Sequence, residues 1–163
     1  MPTYTIRSAV AADYDLIISV VNDWWGRDVS AGIPRLFLNH FHATSLIAED
    51  NGIMIGFLVG FISPSATNEA YIHYVATAPS WRRGGLAARL YDEFSKQVEG
   101  RGCTVVRAIT PPTNEVSISF HRRMGFEVSA SIQDYNGPGR NMVTFTRVLN
   151  RGTRGGGTCQ REP

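Results

Sequence analysis

The stretch VATAPSWRRGGLAARL, residues 75–90, decides how this chain is read. It begins as the end of a run from Glu69 to Thr77 that is rich in Tyr, Ile, Val and Thr, the composition of a strand, and Pro79 stops that run. The turn Ser80-Trp81-Arg82-Arg83-Gly84-Gly85 follows. A helix then opens, with Leu86, Leu90, Phe94 and Val98 four apart on one apolar stripe. A strand, a glycine turn and a helix in this order aim free backbone N–H groups and the positive end of the helix at one point, which suits an anionic phosphate. Glycine at 84 and 85 lets that backbone approach a ligand with no Cβ in the way. Taken alone, the stretch predicts a phosphate-bearing ligand or a mere tight turn. A nucleotide-hydrolase loop needs Gly-x-x-x-x-Gly-Lys-Ser/Thr, and no Lys occurs between Ala76 and Phe94. A dinucleotide fingerprint needs Gly-x-Gly-x-x-Gly after an early strand, and that is absent too.

Working outward, residues 3–8 alternate like a half-buried strand, and a helix is expected from Asp13 to Trp25, ended by Gly26. A second short helix starts at Pro34 and carries Leu36, Phe37, His40 and Phe41. Strands at 45–49 and 53–63 flank Asn51-Gly52, a strong hairpin signal. Beyond the central helix, Gly100 and Gly102 precede a compact strand from Cys103 to Ile109. Asn114 caps a short helix through Phe120 to Arg123, which Gly125 closes. Strands near 126–132 and 142–148 complete the order β-α-α-β-β-β-α-β-α-β-β. This predicts one α/β (α+β) domain over residues 1–149, with a mixed six- to seven-stranded sheet and flanking helices. Residues 150–163 hold no apolar anchor apart from Cys159 and are expected to be a disordered tail.

Composition narrows the classes. At 163 residues there is no room for a second catalytic domain, and 43% hydrophobic with 18% charged residues is ordinary for a globular protein. No apolar run approaches a membrane span, and the N-terminus lacks the layout of a signal peptide. Cys103 and Cys159 are too few for a disulfide framework, so a reducing cytoplasm is expected. A net charge of +2, with Arg82–Arg83 and Arg122–Arg123 far apart in sequence, gives no continuous basic stripe for nucleic acid.

Arg82-Arg83-Gly84-Gly85-Leu86-Ala87 resembles the Arg/Gln-x-x-Gly-x-Gly/Ala signature of the GNAT superfamily of acyl-CoA-dependent N-acyltransferases. Asn114 to Phe126, NEVSISFHRRMGF, is similar to that family's second motif, and the resemblance spans roughly residues 3–149. It implies acetyl-CoA as acyl donor, no metal, and a sheet splayed between its fourth and fifth strands. By the same resemblance, Val75, Ala76 and Thr77 would pair with the pantetheine arm. The N–H groups from Arg83 through Gly84, Gly85 and Leu86 to Ala87 would hold the pyrophosphate, with Arg82 adding charge. Asn114, Ser117 and Phe120 would meet the cofactor from the other side. Dimerisation through the late strands is compatible with the resemblance.

An alkyl ammonium is neutral only about one time in a thousand at pH 7, so acyl transfer to an amine calls for a base or a water relay. The period of two places Tyr71, His73, Val75 and Thr77 on one face of their strand. His73 is the first candidate for the base and Glu69 the second, against the plain alternative of a hydrogen-bonded sheet histidine. His121 stands where the family has a Tyr that protonates the thiolate, and an imidazole can serve as that acid. Trp24, Trp25, Asp28 and Tyr71 are the expected acceptor contacts. The expected substrate is a small-molecule amine attacked directly in a ternary complex. A protein or peptide acceptor, and a CoA-binding regulatory protein without catalysis, remain as alternatives.

Overall fold

The computed structural model describes residues 3–149; the expected tail at 150–163 lies outside them. Seven strands form one sheet in the order β1-β2-β3-β4-β5-β7-β6. They are β1 (Thr5–Ser8), β2 (Leu46–Asp50), β3 (Ile53–Ile62), β4 (Glu69–Thr77), β5 (Val105–Thr110), β6 (Glu127–Val128) and β7 (Val143–Val148). The helices are α1 (Asp13–Trp25), α2 (Leu36–Phe41), α3 (Leu86–Gly100) and α4 (Glu115–Arg123). The hairpin between β2 and β3 turns on Asn51 and Gly52, whose φ values of 49° and 78° are the two positive angles a two-residue turn of this hand requires.

Two cores cover the sheet. On one face α3 lays Leu86, Leu90, Phe94 and Val98 against Leu58, Ile72, Val106 and Phe145. On the other, Ile17 and Val21 of α1 and Leu38 of α2 pack on Ile47, Phe57 and Val59. β3, covered on both faces, is therefore buried from Met54 to Gly60, as its unbroken apolar run requires. Gly60 is the place where α3 comes closest: an added Cβ would lie 2.5 Å from the Phe94 ring. Among the described residues no helix is long and apolar enough to cross a membrane.

β4 and β5 are parallel and pair only through Glu69↔Val105, Ala70↔Val106 and Tyr71↔Arg107. Beyond Tyr71 they part. Each keeps its outer neighbour, β4 as far as Gly56↔Thr77 and β5 as far as Thr110↔Val143, so the sheet splits in the middle without fraying at its edges.

Two expectations are corrected. Val59 pairs with Tyr74 but Gly60 pairs with Ile72, which leaves His73 as an extra, unpaired residue in β4. Such a bulge resets the alternation of side chains. Tyr71, His73, Val75 and Thr77 therefore do not share a face: Val75 packs on the α3 side, while His73 contacts Phe37 of α2. The strand expected at 126–132 is also shorter: the Ser129 N–H still donates to the Thr144 carbonyl at 3.0 Å, but the Thr144 N–H is taken by the Ser129 hydroxyl at 2.9 Å, which breaks the reciprocal rung. The isolated bridge Ile132↔Met142 lies beyond it.

Candidate active site

The split between β4 and β5 holds a cavity of about 410 Å³ that reaches both helical layers. His73, Val75, Ala76 and Thr77 line it from β4, Asn114, Ser117, Phe120 and His121 from α4, Ala87 and Tyr91 from α3, and Trp24 and Trp25 from α1.

At one end the chain leaves β4 and curls into α3. Arg83 (φ 63°) and Gly85 (φ 81°) both take left-handed angles, which bends the turn so that Gly85 becomes the residue preceding the helix. No side chain caps α3, so the N–H groups of its first turn keep no side-chain acceptor. Arg83, Gly84 and Gly85 are exposed, whereas the Leu86 side chain is buried in the core and offers only its backbone. Arg82 reaches back to donate to the Trp24 carbonyl at the end of α1. On the opposite wall Asn114 Oδ1 caps α4 by accepting the Ser117 N–H at 3.2 Å, which leaves the Asn114 amide nitrogen free of that task.

The two histidines of the cavity are held differently. His73 stacks on Phe37 with 4.1 Å between ring centroids, and its Nε2–H donates to the Gly32 carbonyl at 2.6 Å. Nδ1 is then the unprotonated nitrogen, without a protein partner among the described residues. Burial pushes the His73 pKa below its ordinary value, against a smaller opposing pull from the Gly32 carbonyl. His121 is 5% exposed and lies flat against Phe145, 3.7 Å between centroids. Its Nδ1–H donates to the Ser117 carbonyl at 2.8 Å, so Nε2 accepts the Tyr91 hydroxyl at 3.0 Å. Burial lowers the His121 pKa as well. Both of its nitrogens are engaged, and the neutral ring is the favoured form.

The remaining expected residues spread out. Trp24 stacks on Phe57 and Trp25 tilts onto Tyr74, with the Arg27 guanidinium 5.5 Å from the Trp25 ring centre. Both indoles stay half-buried and reach the cavity. Asp28 does not; it is exposed and accepts the Ser30 hydroxyl at 3.0 Å. Glu69 and Tyr71 lie outside the cavity, at the closed end of the split. Glu69 is clasped by Arg107, whose Nε and Nη2 each donate to it at 2.8 Å, and this hydrogen-bonded pairing holds its carboxyl below the usual range. Tyr71 stacks on Phe61.

The model of the acetyltransferase (GNAT) family matches residues 14–126, which takes in the split strands, the glycine turn and the α4 wall. The chain belongs to the GNAT acetyltransferase family. Acetyl-CoA is the acyl donor of GNAT acetyltransferases. Curated relatives include two L-2,4-diaminobutyric acid acetyltransferases. That of Streptomyces coelicolor is 30% identical over 103 residues, 60% of this chain and 61% of that protein. That of Nocardia farcinica is 26% identical over 98 residues, 58% of this chain and 51% of that protein. The chain thus spans about half to three fifths of the length of these relatives. The fold is shared with the diaminobutyrate acetyltransferase of Paenibacillus lautus, solved with L-2,4-diaminobutyric acid and coenzyme A. Their TM-score is 0.70 at 19% identity, over 89% of this chain and 95% of that one.

Two residues escape a reading of the sequence, one in the cavity wall and one at the closed end of the split. Tyr91 sits beside the Leu86, Leu90, Phe94, Val98 stripe and reads as more core, although a buried Tyr hydroxyl regularly needs a partner. Arg107 is a lone charge inside a compact apolar strand. That signal was available, because a charge in a strand interior calls for a counter-charge nearby.

Proposed function

We propose that this chain acetylates a primary amine of a small molecule, with acetyl-CoA as donor and direct attack in a ternary complex. The observation that carries the reading is the single cavity through the parted strands, with uncapped helix amides at one end and the free Nδ1 of His73 on the α2 side. The first-turn N–H groups of α3 suit the pyrophosphate through orphan donors and the helix dipole. Past Tyr71, the β4 edge facing β5 has no partner strand, so backbone groups of Val75 to Thr77 are free to pair with an extended amide-bearing arm. Acetyl-CoA held there supplies the thioester.

His73 Nδ1 takes the proton from the attacking amine nitrogen. The imidazolium so formed, its pKa depressed by burial, returns that proton to the departing sulfur, so one residue closes the proton balance. The bulge at His73 interrupts the regular pairing of β4 beside the cavity, and a backbone N–H released there would serve as the oxyanion donor. His121 then takes no part as acid: engaged at both nitrogens, it fixes the Tyr91 hydroxyl and the shape of the wall.

The names of the curated relatives favour a small diffusible acceptor over a protein. The cysteine content and the reducing chemistry of a free thiol product favour a cytoplasmic setting. The test is release of free CoA thiol with a panel of amines and peptides, read with the acetylated product by mass spectrometry. Steady turnover with a small amine is expected. Turnover with peptides alone overturns the small-molecule reading, and tight CoA binding with no turnover overturns catalysis.

A further inference from the structure

On the face of the sheet that carries α1 and α2, an aromatic floor runs from the cavity to the closed end of the split. His73 stacks on Phe37, Phe37 meets Phe41 and Phe61, and Phe61 stacks on Tyr71. Tyr71 is the cross-strand partner of Arg107. Tyr135, from the segment between β6 and β7, comes close enough to both for its phenol to bear on their titration. All of these side chains except the exposed Tyr135 are half-buried.

Arg107 has five N–H groups and spends three: Nε and Nη2 on Glu69, and Nη1 on the Thr146 hydroxyl at 3.0 Å. One N–H on each terminal nitrogen is left over. Nη1 and Nη2 together form the outer edge of the guanidinium fork, an edge that can grip a carboxylate in bidentate fashion. The Arg107 side chain is 42% exposed, and an ion pair this exposed contributes little to stability by itself. Glu69 holds the fork from below and offsets its charge, so what remains is a direction more than a field.

We propose that Arg107, steadied by Glu69, anchors a carboxylate on the acceptor, so that the substrates are amines that also carry a carboxylate. This rests on the reading of His73 as the group that meets the amine. Tyr71 and Glu69 stand two and four residues along β4 from His73, about 7 and 13 Å at strand rise. The acceptor is therefore an amino acid whose reacting amine is separated from its carboxylate by several methylenes, a diamino or ω-amino acid. The curated relatives are named for an acid of that class. Glu69, the second candidate for the base, becomes a positioning residue.

The experiment pairs each acid with its decarboxylated counterpart: 2,4-diaminobutyrate with 1,3-diaminopropane, and lysine with pentane-1,5-diamine. kcat and KM are measured for the parent chain, Arg107→Gln and Glu69→Gln, with thermal-shift protection by the two acids as a readout independent of turnover. The parent chain is expected to prefer the acids by about 10- to 100-fold in kcat/KM, the worth of hydrogen bonds to a charged group. Arg107→Gln should erase that preference by raising KM for the acids, with a much smaller change on the diamines, whose second ammonium then meets the unpaired Glu69. Glu69→Gln should weaken it without erasing it. Equal use of acids and diamines by the parent chain, or an equal loss on all amines in Arg107→Gln, overturns the anchor. Protection by the acids that Arg107→Gln abolishes, without turnover of any amine, upholds the anchor and overturns the acetylation reading.

Discussion

The two walls of the cleft each contribute one histidine, and burial lowers the pKa of both. On the α4 wall, His121 has a carbonyl on one nitrogen, a phenol on the other, and Phe145 flat against its ring. On the α2 wall, His73 has a carbonyl on one nitrogen only. The same residue type under the same burial therefore yields two different chemical objects. A ring with both nitrogens committed can move a proton only by breaking a buried hydrogen bond. A ring with one nitrogen fixed and the other free is oriented for transfer and open to it. What separates them is the number of partners, with Tyr91 supplying the difference.

The strongest way to break the comparison is to remove His73. His73→Gln keeps a donor toward the Gly32 carbonyl but has no titrating nitrogen, and kcat is expected to fall about 10²- to 10⁴-fold, with the KM for acetyl-CoA little changed. The pH profile sharpens the point. Because burial depresses the His73 pKa, the neutral base persists below pH 6.5, and its protonation should remove activity only on the acid side of that value. That acid limb should vanish in His73→Gln. A limb that survives unchanged belongs to another group and sinks the base assignment.

The α4 wall should respond in stability before it responds in rate. Tyr91→Phe leaves His121 Nε2 buried without its donor, an expected cost of about 1–3 kcal/mol in urea unfolding, with kcat lowered less than about tenfold. A kcat loss as large as that of His73→Gln would return the acid role to the Tyr91–His121 pair.

These contrasts also mark what could be read from residues alone. The strand order, the hairpin at Asn51-Gly52 and the strand-turn-helix unit were legible because each rests on local chemistry: alternation, positive φ, an apolar stripe. The bulge at His73 was not. It is set by the register between β3 and β4, near where Gly60 lets the Phe94 ring approach, and no pattern within β4 announces an extra residue. The error in facing followed directly, since a period of two holds only while the ladder is regular. The glycine turn before α3 and the Asn114 cap of α4 were similarly legible as motif. Glu69 reads from sequence as the second candidate for the base, but its partner Arg107 is 38 positions away and joined to it only by the short parallel pairing. The hydrogen bonding of His121 depends on Tyr91 of a different helix, which sequence spacing cannot supply.

The smallest expected effect is the dependence of stability on pH. A histidine buried in the neutral form has a folded-state pKa below its unfolded value, so the unfolded chain binds the extra proton first as pH falls. The stabilisation is fully present above about pH 6.5 and is lost as pH drops through the folded-state value. His121, 5% exposed, should give the steeper loss, and half-buried His73 the shallower one. Chemical unfolding of the parent chain, His121→Gln and His73→Gln between pH 5 and 7 measures the two slopes against each other. The difference in slope between parent and variant should be greater for His121→Gln. If the two variants flatten the curve equally, the rings are held alike in solution, and the contrast between a locked and an open histidine fails at its structural root.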